Sequence, residues 1–264
     1  MIVSATERFV SVAGGRCRLL EKGAGPIVGV IGGHNGIPRW TPFLEALSEK
    51  RRVCVLSPPG FPGSDAHHED LDGHLDWITA TLDLLDAAGV AGGDLIAASI
   101  GSMLAADAVA MCPNVVRRLS LTGPYGLYES ADPVVDWYAQ APDQQQALLC
   151  SNPERYGEAF APPDDPEEAA QYDLMMYRAA TAGARVTWPF GDRGLAKRLH
   201  RLQRPVQLLW GEDDRIVPTS YAQRFASRLA VPAQIDDVPG AGHLAWVDKP
   251  RECADAVEAF LSQD

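Results

Sequence analysis

A serine, an aspartate and a histidine stand along this chain in an order suited to acyl-transfer chemistry. Ser99 lies in Ala97-Ala98-Ser99-Ile100-Gly101, directly after an apolar run and directly before a helical pattern. Small residues two positions either side of a serine permit a sharp strand-to-helix turn, which lifts the hydroxyl above the sheet edge. Serine alone is a weak nucleophile; it needs a base to take its proton and a group to hold that base. Leu208-Leu209-Trp210-Gly211-Glu212-Asp213-Asp214-Arg215-Ile216-Val217-Pro218 reads as a strand, an acid-bearing turn and a proline opening the next helix. Asp213 competes for the acid's place, and the spacing to Pro218 favours Asp214. Gly240-Ala241-Gly242-His243 reads as a glycine-lined loop with an imidazole at its tip. The order Ser99, Asp214, His243 fits a nucleophile elbow with its acid and base on later strand ends.

Such groups need a frame. Phe9–Val12 and Cys17–Leu20 read as an opening hairpin around Gly14-Gly15. Short apolar runs then alternate with helical patterns. The runs are Ile27–Ile31, Val53–Leu56, Leu95–Ala98, Leu119–Leu121, Val206–Trp210 and Gln234–Val238. The helical patterns span Trp40–Lys50, His74–Ala88, Ile100–Met111, Ser220–Leu229 and Arg251–Leu261. This alternation predicts an α/β fold with a mostly parallel central sheet flanked by helices, and reactive groups gathered beyond the carboxyl ends of its strands. From 124 to 189 the rhythm breaks into a stretch rich in Pro, Asp, Gln and Ala, with Trp137, Tyr138, Tyr156, Tyr172, Tyr177 and Trp188. We read it as a helical lid insertion, because long insertions in compact domains are usually functional. The core domain is then 1–123 with 190–264.

Bulk properties narrow the function. The chain has 264 residues, enough for one large domain, with 46% hydrophobic and 22% charged residues. A formal net charge of -12 repels phosphate backbones and offers no basic patch to an anionic membrane, so neither nucleic acid nor membrane is an expected partner. No run reaches the ~18 apolar residues of a membrane span. Met1–Arg8 lacks the charged-then-apolar pattern of a signal peptide. The 5 cysteines, Cys17, Cys54, Cys112, Cys150 and Cys253, include no C-x-x-C pair. That count predicts neither a disulfide framework nor a zinc site and fits a reducing cytoplasm. His67 and His68 read as residues of a solvated loop without metal-ligand spacing, and His74 and His200 as surface residues.

The motifs resemble those of the α/β-hydrolase superfamily. Ala97–Ala105 is similar to its nucleophile elbow and following helix, Gly211–Pro218 to its acid turn, and Gly240–His243 to its histidine loop. Gly32-Gly33-His34-Asn35-Gly36 followed by Trp40 resembles its oxyanion loop, and Pro59-Gly60-Phe61-Pro62-Gly63-Ser64 its Pro-Gly-Phe-Gly-x-Ser turn. Three departures stand out: Ala97 replaces the first elbow glycine, Ser102 replaces a later glycine, and Gly32 replaces the oxyanion-loop histidine. The resemblance implies an α/β-hydrolase fold with a lid. It implies a Ser99–His243–Asp214 triad, and an oxyanion hole made by the backbone N–H groups of His34 and Ile100. The implied reaction is cleavage of an ester or related acyl bond in a small, partly hydrophobic molecule, through an acyl-serine and without metal or organic cofactor. Gly33, Tyr125, Trp137 and Trp188 are candidate substrate contacts, and a homodimer is left open. Gly123-Pro124-Tyr125-Gly126-Leu127 is similar to a segment of meta-cleavage-product hydrolases, which makes carbon–carbon bond hydrolysis the alternative. Ligand receptors, cofactor-free oxygenases and lyases on the same fold are further alternatives.

Overall fold

The computed structural model describes residues 4–263. Residues 1–3, the start of the segment read as lacking a signal peptide, lie outside that range. Among the described residues, eight strands form one sheet: β1 (Thr6–Val12), β2 (Gly15–Lys22), β3 (Ile27–Ile31), β4 (Arg52–Leu56), β5 (Asp94–Ala98), β6 (Leu119–Thr122), β7 (Val206–Gly211) and β8 (Gln234–Val238). Their spatial order is β1-β2-β4-β3-β5-β6-β7-β8. Only the β1–β2 and β2–β4 pairs are antiparallel. The hairpin strands run longer than the sequence predicts, and the turn falls at Ala13 and Gly14, both at positive φ. Two consecutive positive-φ residues match the right-handed twist of the paired strands.

Nine α-helices are described: α1 (Pro42–Ser48), α2 (His74–Ala87), α3 (Ser99–Met111), α4 (Pro142–Leu149), α5 (Pro153–Phe160), α6 (Pro166–Thr187), α7 (Ser220–Ala226), α8 (Ala245–Asp248) and α9 (Pro250–Leu261). The predicted Trp40–Lys50 helix begins later because Pro42 sets its first turn, while the Trp40 indole turns back to donate to Glu45. The predicted Ser220–Leu229 helix stops at Ala226.

Burial explains the strand order. Every residue of β5, β6 and β7 is buried, as expected of central strands covered on both faces. The edge strand β1 is mostly exposed and carries Glu7 and Arg8, which discourage pairing with another chain. Helix α3 is buried over nearly its whole length. Its run of Gly101, Ser102, Ala105, Ala106, Ala108 and Ala110 lets it press on the sheet. Between β6 and β7 the chain leaves the sheet and forms α4, α5 and α6 together with a 3-10 turn at Trp137–Ala139. No described helix is long and apolar enough to cross a membrane.

Candidate active site

The carboxyl end of β5 delivers Ser99 directly into α3. Ser99 has φ 53, in the left-handed region a side chain rarely adopts, so the turn is held by its surroundings. Gly101 shows what holds it: a Cβ there would lie 2.4 Å from Gly32 O. The helix start and the loop after β3 therefore touch backbone to backbone. Gly33 is equally constrained, since its Cβ would fall 2.8 Å from the Ser99 Cβ.

His243 and Asp214 lie on the loops that follow β8 and β7. Asp213 N–H donates to Ala241 O and Glu212 N–H to Val238 O, which zips the acid turn to the histidine loop. Gly211 lies beneath that loop, where a Cβ would meet Gly242 O at 2.1 Å. His243 Nε2 is 2.7 Å from Ser99 Oγ, and His243 Nδ1 is 2.9 Å from Asp214 Oδ2. The other carboxylate oxygen, Oδ1, accepts from Ile216 N–H and Val217 N–H, which fixes the acid's rotamer. Asp213, the competing acid, is exposed instead.

A second imidazole touches the serine. His34 Nδ1 is 2.9 Å from Ser99 Oγ, and His34 Nε2 is 3.0 Å from the Tyr125 hydroxyl. Tyr125 donates to Val135 O, and Tyr138 donates to His34 O. Trp137 lies against the His34 ring at 5.0 Å between centroids. Gly183 of α6 backs this arrangement, because a Cβ there would stand 2.8 Å from His34 O and collide with the Tyr138 hydroxyl. Burial, and then the nearby His243, hold the His34 imidazole well below the usual histidine range, so it is neutral. Burial likewise raises the Tyr125 and Tyr138 phenols, so both keep their hydrogens.

The structure thus brings together Ser99, His243, Asp214, His34, Ile100, Gly33, Tyr125 and Trp137. Ser99 is 0% exposed and His243 1%, beneath a cover of His34, Tyr125, Trp137 and Tyr138. A small gap of about 10 Å³, room for roughly one water, lies beyond Tyr125, lined by Met103, Leu127, Val134, Phe190 and Arg193 among others. Trp188 departs from expectation: it follows the last residue of α6, is 73% exposed, and leaves the lining of that gap to its neighbours Thr187 and Phe190.

Two other histidines also depart from the sequence reading. His68 is buried rather than solvated, packed where Gly60 has no side chain. His74 is 2.7 Å from the buried carboxylate of Asp107, which Arg198 also pairs. Asp248 is a supporting residue that sequence reasoning missed. Its carboxylate accepts from Gly242 N–H at 2.7 Å, Ser151 N–H at 2.9 Å and Asn152 N–H at 2.9 Å, tying the histidine loop to the end of α4. Its one sequence signal is an acid five residues beyond a loop histidine.

Comparison with known proteins places the chain in a family. The family model described as "Alpha/beta hydrolase family" matches residues 32–256. The chain is 28% identical over 235 residues to a poly(3-hydroxyalkanoate) depolymerase of Ectopseudomonas oleovorans, covering 84% of this chain and 79% of that protein. It is 24% identical over 280 residues to a 2-hydroxymuconate semialdehyde hydrolase of Pseudomonas sp. (strain CF600), covering 97% and 94% respectively. A solved structure of a serine hydrolase involved in carbazole degradation, the CarC enzyme, superposes with a TM-score of 0.78 at 21% identity, covering 98% of this chain and 99% of that one. With a mostly parallel eight-stranded sheet and a family match over most of its length, the chain belongs to the α/β-hydrolase family.

Proposed function

We propose that this chain is a serine hydrolase that cleaves an ester or related acyl bond of a small, partly hydrophobic molecule. One observation carries the reading: Ser99 Oγ lies 2.7 Å from an imidazole nitrogen whose opposite nitrogen lies 2.9 Å from a buried carboxylate oxygen. In that arrangement His243 takes the Ser99 proton as Oγ attacks a carbonyl carbon, and Asp214 orients the ring and stabilises its cation. The oxyanion is received by the N–H groups of His34 and Ile100; each such donor contributes roughly 3 kcal/mol in the transition state. His243 then protonates the leaving group, and water opens the acyl-serine. The helical segment 124–189 acts as a lid. Its Tyr125, Trp137 and Tyr138 cover the serine, so substrate entry requires them to move. Tyr125 and Trp137 contact the substrate.

A second reading, hydrolysis of a carbon–carbon bond next to a ketone, draws on Gly123-Pro124-Tyr125-Gly126-Leu127 and on the near full-length similarity to the semialdehyde hydrolase. A screen of p-nitrophenyl esters and vinylogous diketones, with Ser99→Ala as the blank, separates the two. Esters turning over faster supports the first reading, diketones turning over much faster replaces it with the second, and Ser99→Ala matching wild type refutes both.

A further inference from the structure

The polar contacts around Ser99 form a line that is one hydrogen short. It runs from Val135 O to Tyr125 Oη (3.0 Å), to His34 Nε2 (3.0 Å), from His34 Nδ1 to Ser99 Oγ (2.9 Å), to His243 Nε2 (2.7 Å), and from His243 Nδ1 to Asp214 Oδ2 (2.9 Å). Those are five contacts. Both ends, a peptide carbonyl and a carboxylate, can only accept. Between them, Tyr125, neutral His34, Ser99 and His243 in its base-competent form contribute one hydrogen each, four in all. One contact is therefore made without a hydrogen.

The Tyr125 hydrogen decides which, and we place it on Val135 O, the partner that can only accept. Tyr125 gives its hydrogen to Val135 O, so Oη takes the hydrogen of His34 Nε2. His243 Nδ1–H points at Asp214, so Nε2 takes the hydrogen of Ser99. The contact left empty is His34 Nδ1 against Ser99 Oγ, lone pair facing lone pair. His34 is 2% exposed, so water does not readily fill the deficit. A buried acceptor without a donor costs more than the net gain of an ordinary hydrogen bond, and a ligand that supplies the donor recovers that cost.

We propose that His34 is a specificity-determining residue whose bare Nδ1 selects substrates carrying a proton donor, a hydroxyl or enol, on the carbon next to the scissile carbonyl. The position follows from the geometry. Once Oγ bonds to the carbonyl carbon, an acceptor 2.9 Å from Oγ is within reach of substituents on the neighbouring carbon. The same lone pair repels the carbonyl oxygen and turns it toward the backbone N–H groups of His34 and Ile100. A 2-hydroxyacyl ester fills the empty contact, whereas its methyl isostere leaves it empty. Sites built around a hydroxyl reject the analogue lacking it for this reason. The inference rests on Ser99 being the acylated residue.

Three phenyl esters test it: the 2-hydroxypropanoate, the 2-methylpropanoate and the 2-methoxypropanoate, each rate divided by its hydroxide-catalysed rate. Wild type should prefer the hydroxy ester over the methyl isostere by about tenfold or more in kcat/KM. Tyr125→Phe supplies the opposite sign. It removes two contacts and one hydrogen, leaving three contacts and three hydrogens. His34 then adopts the Nδ1–H tautomer and donates toward Ser99. In that variant the hydroxy preference should vanish and the acceptor-only methoxy ester should gain. Nitrogen-15 NMR of the His34 ring provides a readout independent of turnover: Nε2–H in wild type, Nδ1–H in Tyr125→Phe. An Nδ1–H tautomer in wild type, or the same ester ratios in both proteins, overturns the proposal. Labelling of Ser99 by a fluorophosphonate in both proteins keeps the result separate from the hydrolase reading; unlabelled wild type defeats that reading first.

Discussion

Gly123 and His243 are so close that a methyl group on the glycine would lie 3.1 Å from the imidazole Nδ1 and 3.1 Å from Asp214 Oδ2. Gly123 also has φ 47, which costs an L-residue roughly 1–2 kcal/mol. The glycine after β6 therefore leaves the space in which Asp214 and His243 meet. Gly123→Ala should push the pair apart by a few tenths of an ångström and lower kcat by about tenfold or more, because small misplacements of catalytic groups are expensive. Steady-state kinetics alongside a thermal melt would check this; unchanged kcat in a folded protein would remove Gly123 from the site.

Asp214 has separable tasks for its two oxygens. An asparagine can still accept from Ile216 N–H and Val217 N–H through one oxygen, while its amide nitrogen would face His243 and enforce the wrong tautomer. Asp214→Asn should therefore melt close to wild type yet lose about 10⁴-fold in kcat. Loss of folding together with activity would instead mark the carboxylate as mainly structural.

Asp248 organises the histidine loop through three backbone N–H groups. Asp248→Ala strands those donors inside the protein, at about 1–3 kcal/mol for each one left unpaired. We expect a lower urea midpoint and slower fluorophosphonate labelling. A midpoint equal to that of wild type would show that the loop does not depend on it.

Acidity acts through the buried imidazoles. His34 is held well below the usual histidine value by burial and then by His243, and His68 is lowered chiefly by burial, against the raising effect of Glu69. Their unfolded forms bind protons near pH 6.5 while the folded forms do not. Unfolding therefore takes up protons below that pH. The stability they contribute is present in full above about 6.5 and is lost as pH falls below it toward the folded values. Urea titrations from pH 7.5 to about 5 should show that decline, with a shallower slope in His34→Gln. Equal slopes in the two proteins would contradict the assignment.

The parts of this molecule written as short local patterns were readable in advance. The mostly apolar, fully buried strands β5, β6 and β7, the small flanks of Ser99 and the glycine loop before His243 each encode their own geometry. The distance to Pro218 favours Asp214 over Asp213, and Asp214 is the one whose carboxylate meets His243 Nδ1. What the sequence hid depends on contacts between distant segments. His34 was legible as a backbone donor, but its ring meets Ser99 only because Tyr125, Tyr138 and Gly183 of α6 confine it from 91, 104 and 149 residues away. His68 and His74 sit in polar surroundings in sequence, yet His68 packs against Gly60 just before it and His74 is paired by Asp107, which Arg198 holds from much later in the chain. Trp188 has the residue type of a pocket wall, yet the end of α6 places it at the surface.

The most direct measurement is covalent. Wild-type protein is treated with a fluorophosphonate, its mass is read intact, the modified peptide is sequenced, and Ser99→Ala is assayed beside it. The expected result is one adduct, on Ser99, and a loss in Ser99→Ala of about a thousandfold or more in turnover of every substrate the native protein cleaves. An adduct on another residue, or a Ser99→Ala protein that turns over substrate like wild type, would contradict the account at its centre.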